Sequence, residues 1–191
     1  MTLHELIISR RTIRQFQPRP IERRILERLV DAGRLAPSAA NLQPLEFLVV
    51  DDPRLRAAVF PCLKWAAYIH PHGDPRPGQE PQAYVFVLAN TKIREKMYEY
   101  DVGAAVENIG LSAWGEGLGS CWLISIDRPG IQEILGVPDH LKIDSVVALG
   151  YPAETSIVEE FKDSPRYWKD AEGVFHVPKR IFAQTFHLNK Y

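Results

Sequence analysis

Between Asp101 and about Glu116 the sequence reads as a helix with almost no polar side. Val102, Ala105, Val106, Ile109 and Ala113 form one face, and Gly103, Ala104, Gly110, Leu111 and Trp114 leave the other faces apolar or small. A helix apolar nearly all round has to be covered on most sides. It therefore belongs at the centre of a domain or in a subunit interface, and the rest of the chain has to be arranged around it. With 191 residues the chain is most simply one domain, residues 1–191, able to bury a real core. A formal net charge of −1 gives no sign of general nucleic-acid or membrane-surface binding. No apolar run approaches the roughly 20 residues that span a bilayer. Met1-Thr2-Leu3-His4-Glu5 lacks the basic-then-apolar layout of a secretory signal, so a cytoplasmic protein is expected. Cys62 and Cys121 fit no metal or disulfide spacing and are expected to be small buried hydrophobes.

Around that helix the pattern is mixed. Leu3, Leu6 and Ile7 give a short first helix one apolar face. A second helix is expected from Pro20 to about Leu35, with Ile21, Ile25, Leu26, Leu29 and Val30 on one side, and Pro37 pushes Ala36 out of helical geometry. Strands are expected at Glu46–Val50, Ala83–Ala89, Cys121–Ile126 and Ser145–Leu149, with short helices after Asp52, an N-cap, and near Pro129–Leu135. Strands and helices mix without a clean βαβ repeat, which favours α+β. Gly115–Ser120 superficially suggests a dinucleotide loop, but it follows a helix and precedes a strand, the wrong context. Glycine there is expected to cap the helix.

Two stretches resist the pattern. Residues 61–81 hold five of the fifteen prolines, and the run His70-Pro71-His72-Gly73-Asp74-Pro75 allows no regular element, which predicts a long loop. Trp65 and Tyr68 at its start would let it fold over a ligand as a lid. His70-x-His72 invites a metal reading, but ordinary exposed histidines account for it better, and no metal is expected. From about residue 151 periodicity weakens while large side chains persist (Tyr167, Trp168, Phe175, Phe182, Phe186), so this extended segment must pack on its own domain or wrap a second subunit.

The functional signal lies elsewhere. Arg10-Arg11-Thr12-Ile13-Arg14-Gln15-Phe16 sets three permanent charges and a hydroxyl within five positions, an arrangement suited to phosphate oxygens. Residues 1–34 carry eight arginines against four acids, whereas Glu154, Glu159, Glu160 and Asp163 gather late. Roughly twenty residues after the first arginines comes Ala36-Pro37-Ser38-Ala39-Ala40-Asn41-Leu42-Gln43-Pro44, a turn-rich run whose backbone and amides can follow a flat polar ligand. Together they read as a mononucleotide cofactor site.

With Asp101–Asn108 running on to Gly117-Leu118-Gly119-Ser120-Cys121-Trp122, and with Gly150-Tyr151-Pro152, these segments resemble the flavin-dependent nitroreductase family over nearly the whole chain. The resemblance implies a nitroreductase-like α+β fold, a central mostly antiparallel sheet flanked by helices, and an intertwined homodimer with FMN at the subunit interface. It implies that Arg10, Arg11, Thr12 and Arg14 contact the flavin phosphate and ring, and that Pro37, Ser38, Ala39, Asn41 and Gln43 line the flavin from the partner subunit. Backbone near Leu123 and Ile124 would approach flavin N5, and Lys179 and Arg180 would close on the phosphate. Arg14 or Gln43 would stabilise anionic reduced flavin at its N1/O2 edge.

The expected function is an FMN-dependent oxidoreductase taking electrons from NADH or NADPH and passing them to a small oxidised acceptor, a nitro compound or quinone, by a two-step ping-pong mechanism. The cofactor carries the redox chemistry, so no catalytic side chain is expected. Thr12 stands where serine is usual and Leu45 where many members have Trp, and no sizeable helical insertion is present. The alternatives are a non-catalytic FMN-binding or FMN-sensing protein, its flavin face blocked by the 61–81 loop, and a site for another phosphorylated ligand.

Overall fold

The computed structural model describes all residues, 1–191. Its elements in chain order are α1 (Leu3–Ser9), α2 (Arg23–Arg34), β1 (Leu45–Val50), α3 (Pro53–Val59), β2 (Ala83–Asn90), α4 (Glu99–Gly115), β3 (Gly119–Leu123), α5 (Arg128–Leu135), β4 (Leu141–Gly150), β5 (Ser156–Glu160), β6 (Trp168–Lys169) and β7 (Phe175–Lys179). The first four strands form one antiparallel sheet in the order β1-β2-β4-β3. This is the α+β arrangement expected from the sequence.

Period-2 alternation divides the core. Val85, Val87, Val147 and Leu149 point to one face, against Leu26 and Leu29 of α2 and Val102, Val106 and Ile109 of α4. Tyr84, Phe86, Val146 and Ala148 point to the other, against Val59 of α3, Ile131 of α5 and Trp65. Both faces are covered, so β2 reads as an unbroken apolar run and is buried from Ala83 to Ala89.

Local signals held where the chemistry was local. The Asp52 carboxylate accepts from the amides of Arg54 and Leu55, capping α3 as expected. At the end of α4, Gly117 adopts φ +75, its amide donates to the Trp114 carbonyl, and that of Leu118 donates to Ala113. That is the glycine cap expected there. Boundaries moved elsewhere. The second helix begins at Arg23 rather than Pro20, β3 ends at Leu123 rather than Ile126, and β4 runs from Leu141, past a register shift opposite Val87/Leu88.

Two expectations are corrected. Residues 61–81 contain single turns of 3-10 helix at Phe60–Cys62 and Ala67–Ile69. A β-bridge between Leu63 and Ile126 also ties the segment to the body of the protein. Trp65 is buried in the core beside Phe60, so its ring cannot lie over a ligand. The segment is also packed tightly: a Cβ on Gly73 would come 2.3 Å from that of Ala66. The region after residue 151 folds into a second sheet, β5-β7-β6, in which β5 and β7 are parallel. Parallel partners distant in sequence leave no hairpin signal to read.

Helix α4 is the other surprise. Its Val102–Ile109 side is buried, but Tyr100 and Glu107 are exposed and Gly103, Ala104 and Leu111 are only partly covered. The helix thus lies at the centre of the domain, as one of the two expected placements had it, while keeping one face open.

Candidate functional site

The arginine segment is fixed by backbone pairing rather than by its charges. The Ile13 amide donates to the Ser120 carbonyl at 3.0 Å, and Thr12 bridges Ser120 in parallel, which sets Thr12 and Ile13 against the edge of β3; further on, Phe16 bridges Pro152. A Cβ on Gly119 would lie 2.7 Å from that of Ile13, so glycine there is a requirement of close approach. Below the segment, Arg10 runs over Gly110 of α4 and its Nε stands 3.5 Å from Glu107. Arg11 turns back on α1, donating to the carbonyls of Ile8 and Arg10. Burial and the adjacent Arg10 charge pull its guanidinium below the ordinary value.

Arg14 is held from the other side. Its guanidinium lies 5.1 Å from the centre of the Tyr167 ring and 5.0 Å from that of Phe175. Its backbone amide donates to the Glu154 carboxylate at 2.5 Å, and that carboxylate also meets Lys169 at 3.0 Å. Burial pushes the neighbouring Cys121 thiol up to about 11, against the opposing pull of Arg14. The next side chain, buried Gln15, uses both ends of its amide on the proline-rich segment: it donates to the Asp74 carbonyl at 2.6 Å and accepts from the Arg76 amide at 2.9 Å. The sequence gives no sign that Glu154 or Gln15 braces the arginine segment. Glu154 lies 140 residues from Arg14 with nothing periodic to link them.

The second segment carries backbone strain in place of charge. Ala40, Asn41 and Gln43 have φ of +53, +54 and +50, a region costly for residues with a Cβ. Residues Ala39 to Gln43 are exposed. Their anchor is Asp101 in the first turn of α4, a buried carboxylate accepting from the Ser38 hydroxyl at 2.5 Å and the Ala39 amide at 3.4 Å. The Ser38 oxygen accepts in turn from the Gln43 amide at 2.9 Å.

Position on α4 relates the two segments. Asp101 faces the Pro37–Gln43 segment and Gly110 faces Arg10. Nine residues are about two and a half helical turns, which puts the two contacts on opposite sides of the helix. The open face, with Tyr100, Gly103, Ala104 and Glu107, lies between them.

The remaining expected residues are scattered. Leu123 is buried at the end of β3 and Ile124 is exposed, its carbonyl accepting from Arg128 at 3.1 Å. Lys179 and Arg180 are exposed at the end of β7 with local contacts; Arg180 donates to the Gln184 carbonyl. His70 pairs with Asp74 at 2.9 Å, and no group of three His, Cys, Asp or Glu side chains is placed to hold a metal.

A phosphorylated flavin fits these residues. The buried Nε atoms of Arg10 and Arg14 have no hydrogen-bond partner, and an unpaired buried donor is costly unless something meets it. FMN offers phosphate oxygens and a polar ring edge of the right sign.

Known proteins share this sequence pattern and fold. A model described as the nitroreductase family matches residues 7–151. A protein of Archaeoglobus fulgidus with the provisional name NADH dehydrogenase/NAD(P)H nitroreductase is 34% identical over 166 residues, covering 83% of this chain and 90% of its own length. Among solved structures, a Parabacteroides distasonis protein with the same provisional name superposes with a TM-score of 0.72 at 25% identity, covering 99% of this chain and 98% of its own. An FMN-dependent nitroreductase of Clostridium difficile gives 0.71 at 23% identity, covering 98% and 99%, a likeness of fold.

Proposed function

This chain belongs to the nitroreductase family, and from that premise we propose that it is an FMN-dependent oxidoreductase passing electrons from NADH or NADPH to a small oxidised acceptor, a nitro compound or quinone, in two successive half-reactions. The observation that carries the reading is that the buried Nε atoms of Arg10 and Arg14 make no hydrogen bond within the chain, Arg10 lying at the open face of α4 with only a 3.5 Å ion contact to Glu107. FMN, when bound, supplies the redox chemistry. The side chains bind and orient it. Arg10, Arg11 and Thr12 take the phosphate, joined by Lys179 and Arg180. Arg14 offers positive charge to the N1/O2 edge, and backbone at Leu123 and Ile124 lies along the N5 side.

Pro37, Ser38, Ala39, Asn41 and Gln43 of a second copy complete the pocket. Two observations support that homodimer. The two motifs flank the open face of α4 from opposite sides, so copies packed face to face along it bring each arginine segment against the other's Pro37–Gln43. Small residues, Gly103 and Ala104, permit close approach there, and α1 leaves Leu3, Ile7 and Ile8 exposed. We read residues 1–191 as one FMN-binding unit, with Tyr68, packed on Tyr167 at 5.0 Å, as the exposed ring of the proline-rich segment beside Arg14.

The test is an anaerobic absorbance spectrum of FMN-loaded protein before and after NADH and NADPH. Loss of the flavin band near about 450 nm establishes the reductase and names its donor. A yellow protein that neither donor bleaches makes it a non-catalytic FMN-binding or FMN-sensing protein. Protein that takes up no FMN assigns the arginines to another phosphorylated ligand.

A further inference from the structure

The 38–43 loop has three non-glycine residues in the left-handed region, is exposed, and forms no strand or α-helix. Strain of that kind persists only where surrounding contacts over-determine it. Those contacts converge on one buried group. Asp101, 3% exposed, accepts from the Ser38 hydroxyl and the Ala39 amide. Through the Ser38 oxygen it also reaches the Gln43 amide at the far end of the loop. One carboxylate thus fixes both ends of a six-residue segment, and it is itself fixed by α4, whose N-terminal turn favours a negative charge. Arg94 Nη1 lies 3.9 Å from Asp101 Oδ1, an ion contact too long for a hydrogen bond, so the hydrogen bonds of the carboxylate go to the loop.

We infer that Asp101 is the positioning residue of the cofactor site: without touching the ligand, it holds residues 38–43 in the conformation that presents Asn41 and Gln43. This rests on the FMN-dependent reading above. Because Asp101 is rooted in the helix whose open face adjoins the arginine segment, it also sets the distance between that helix and the ring-lining loop. A merely structural carboxylate would lower stability and leave the loop and ligand affinity alone.

The experiment is FMN titration, followed by flavin fluorescence, of the wild-type protein and of Asp101→Asn, Asp101→Ala, Ser38→Ala and Ser38→Thr. Melting temperatures and amide hydrogen exchange are measured on each without FMN. Removal of hydrogen bonds to a charged group predicts a loss of FMN affinity of about tenfold or more in Asp101→Ala. Asp101→Asn, which keeps an acceptor oxygen, falls between it and wild type. Ser38→Thr, which keeps the hydroxyl that meets Asp101, loses less affinity than Ser38→Ala. The double variant Ser38→Ala/Asp101→Ala is no weaker than the worse single, because both remove one relay. Exchange accelerates at residues 39–43 and stays slow in β2.

Unchanged FMN affinity in Asp101→Ala, or losses that add in the double variant, overturns the inference alone. If Asp101→Ala does not fold, Asp101→Asn decides it by the same criterion. A wild-type protein that binds no FMN overturns the functional reading and the inference together.

Discussion

The two segments beside α4 are built in opposite ways. Arg10–Phe16 is rich in charge and has no residue in the left-handed region: it pairs with β3 at Thr12 and Ile13, and its arginines are braced by Glu107, Glu154 and the rings of Tyr167 and Phe175. Pro37–Gln43 is uncharged and strained, and Asp101 braces its backbone. A cation attracts its ligand from a distance and tolerates some movement of its stem. A backbone amide or a side-chain amide has to be in place before the ligand arrives, because reorganising it then costs binding energy. The first segment should therefore govern how tightly the phosphate is held, and the second how well the ring is placed.

The largest effect is expected on the charged side. Arg10→Ala should weaken FMN binding by roughly tenfold to a hundredfold, since each hydrogen bond to a charged group contributes about 1.5–3 kcal/mol. The fold should survive, because Arg10 is partly exposed and its Glu107 contact is long. Equilibrium dialysis against FMN measures it, and an unchanged affinity would remove Arg10 from the phosphate site.

Next comes the strand edge on which that segment rests. In Gly119→Ala the new Cβ meets Ile13 Cβ, Cγ1 and Cγ2 at under 3 Å, and a β-branched side chain has little rotamer freedom with which to yield. Overpacking of this kind costs about 1–3 kcal/mol. Urea unfolding should show that loss, and FMN affinity should fall with it as residues 10–14 shift.

The strained side predicts a smaller change, of opposite sign for stability and binding. Glycine adopts φ near +53 without the Cβ penalty, so Ala40→Gly should hold or raise stability by up to about 1 kcal/mol. The same freedom should weaken FMN binding modestly. Tighter binding in Ala40→Gly would show that the strain itself opposes the ligand.

Smallest is a pH effect in the C-terminal sheet that braces Arg14. His176, next to Phe175, has Nε2 3.0 Å from Asp170 and Nδ1 3.2 Å from Glu159, and its ring stacks on Trp168 at 4.0 Å. Asp170 and then Glu159 raise the imidazole above its ordinary value. Glu159 is lowered chiefly by the Trp168 N–H, and Asp170 chiefly by His176. A raised histidine stabilises fully below its unfolded pKa of about 6.5 and loses that contribution as pH rises through the folded value. The lowered carboxylates stabilise above about 4 and lose it as pH falls. The clamp is therefore strongest between about pH 4 and 6.5. Trp168 fluorescence should report loosening above that window, and His176→Gln should abolish the change.

Against these particulars, the sequence was legible wherever a signal was local. The Asp52 cap, the glycine that ends α4, the buried β2 run and the Arg10–Arg14 cluster each lie within a few residues and follow from backbone and side-chain chemistry alone. Trp65 was misplaced because an aromatic ring in a proline-rich stretch reads the same whether it faces a ligand or a core. The second sheet escaped notice because β5 and β7 pair in parallel across an intervening strand, and neither has the alternation of a half-buried strand.

What the sequence by itself determined is the α+β class and the charge that calls for an anion; the antiparallel sheet was expected only through the family that its motifs resemble. Propensity, periodicity and permanent charge are properties of residues near one another in the chain. What only the tertiary structure decided is which groups brace that charge and which brace the ring-lining loop. Glu154 beneath Arg14, Gln15 across the proline-rich segment and Asp101 beneath Ser38 are pairings over 59 to 140 residues. They follow from how packed layers bring buried donors and acceptors together, since a polar group taken from water has to find its partner wherever the fold has placed one.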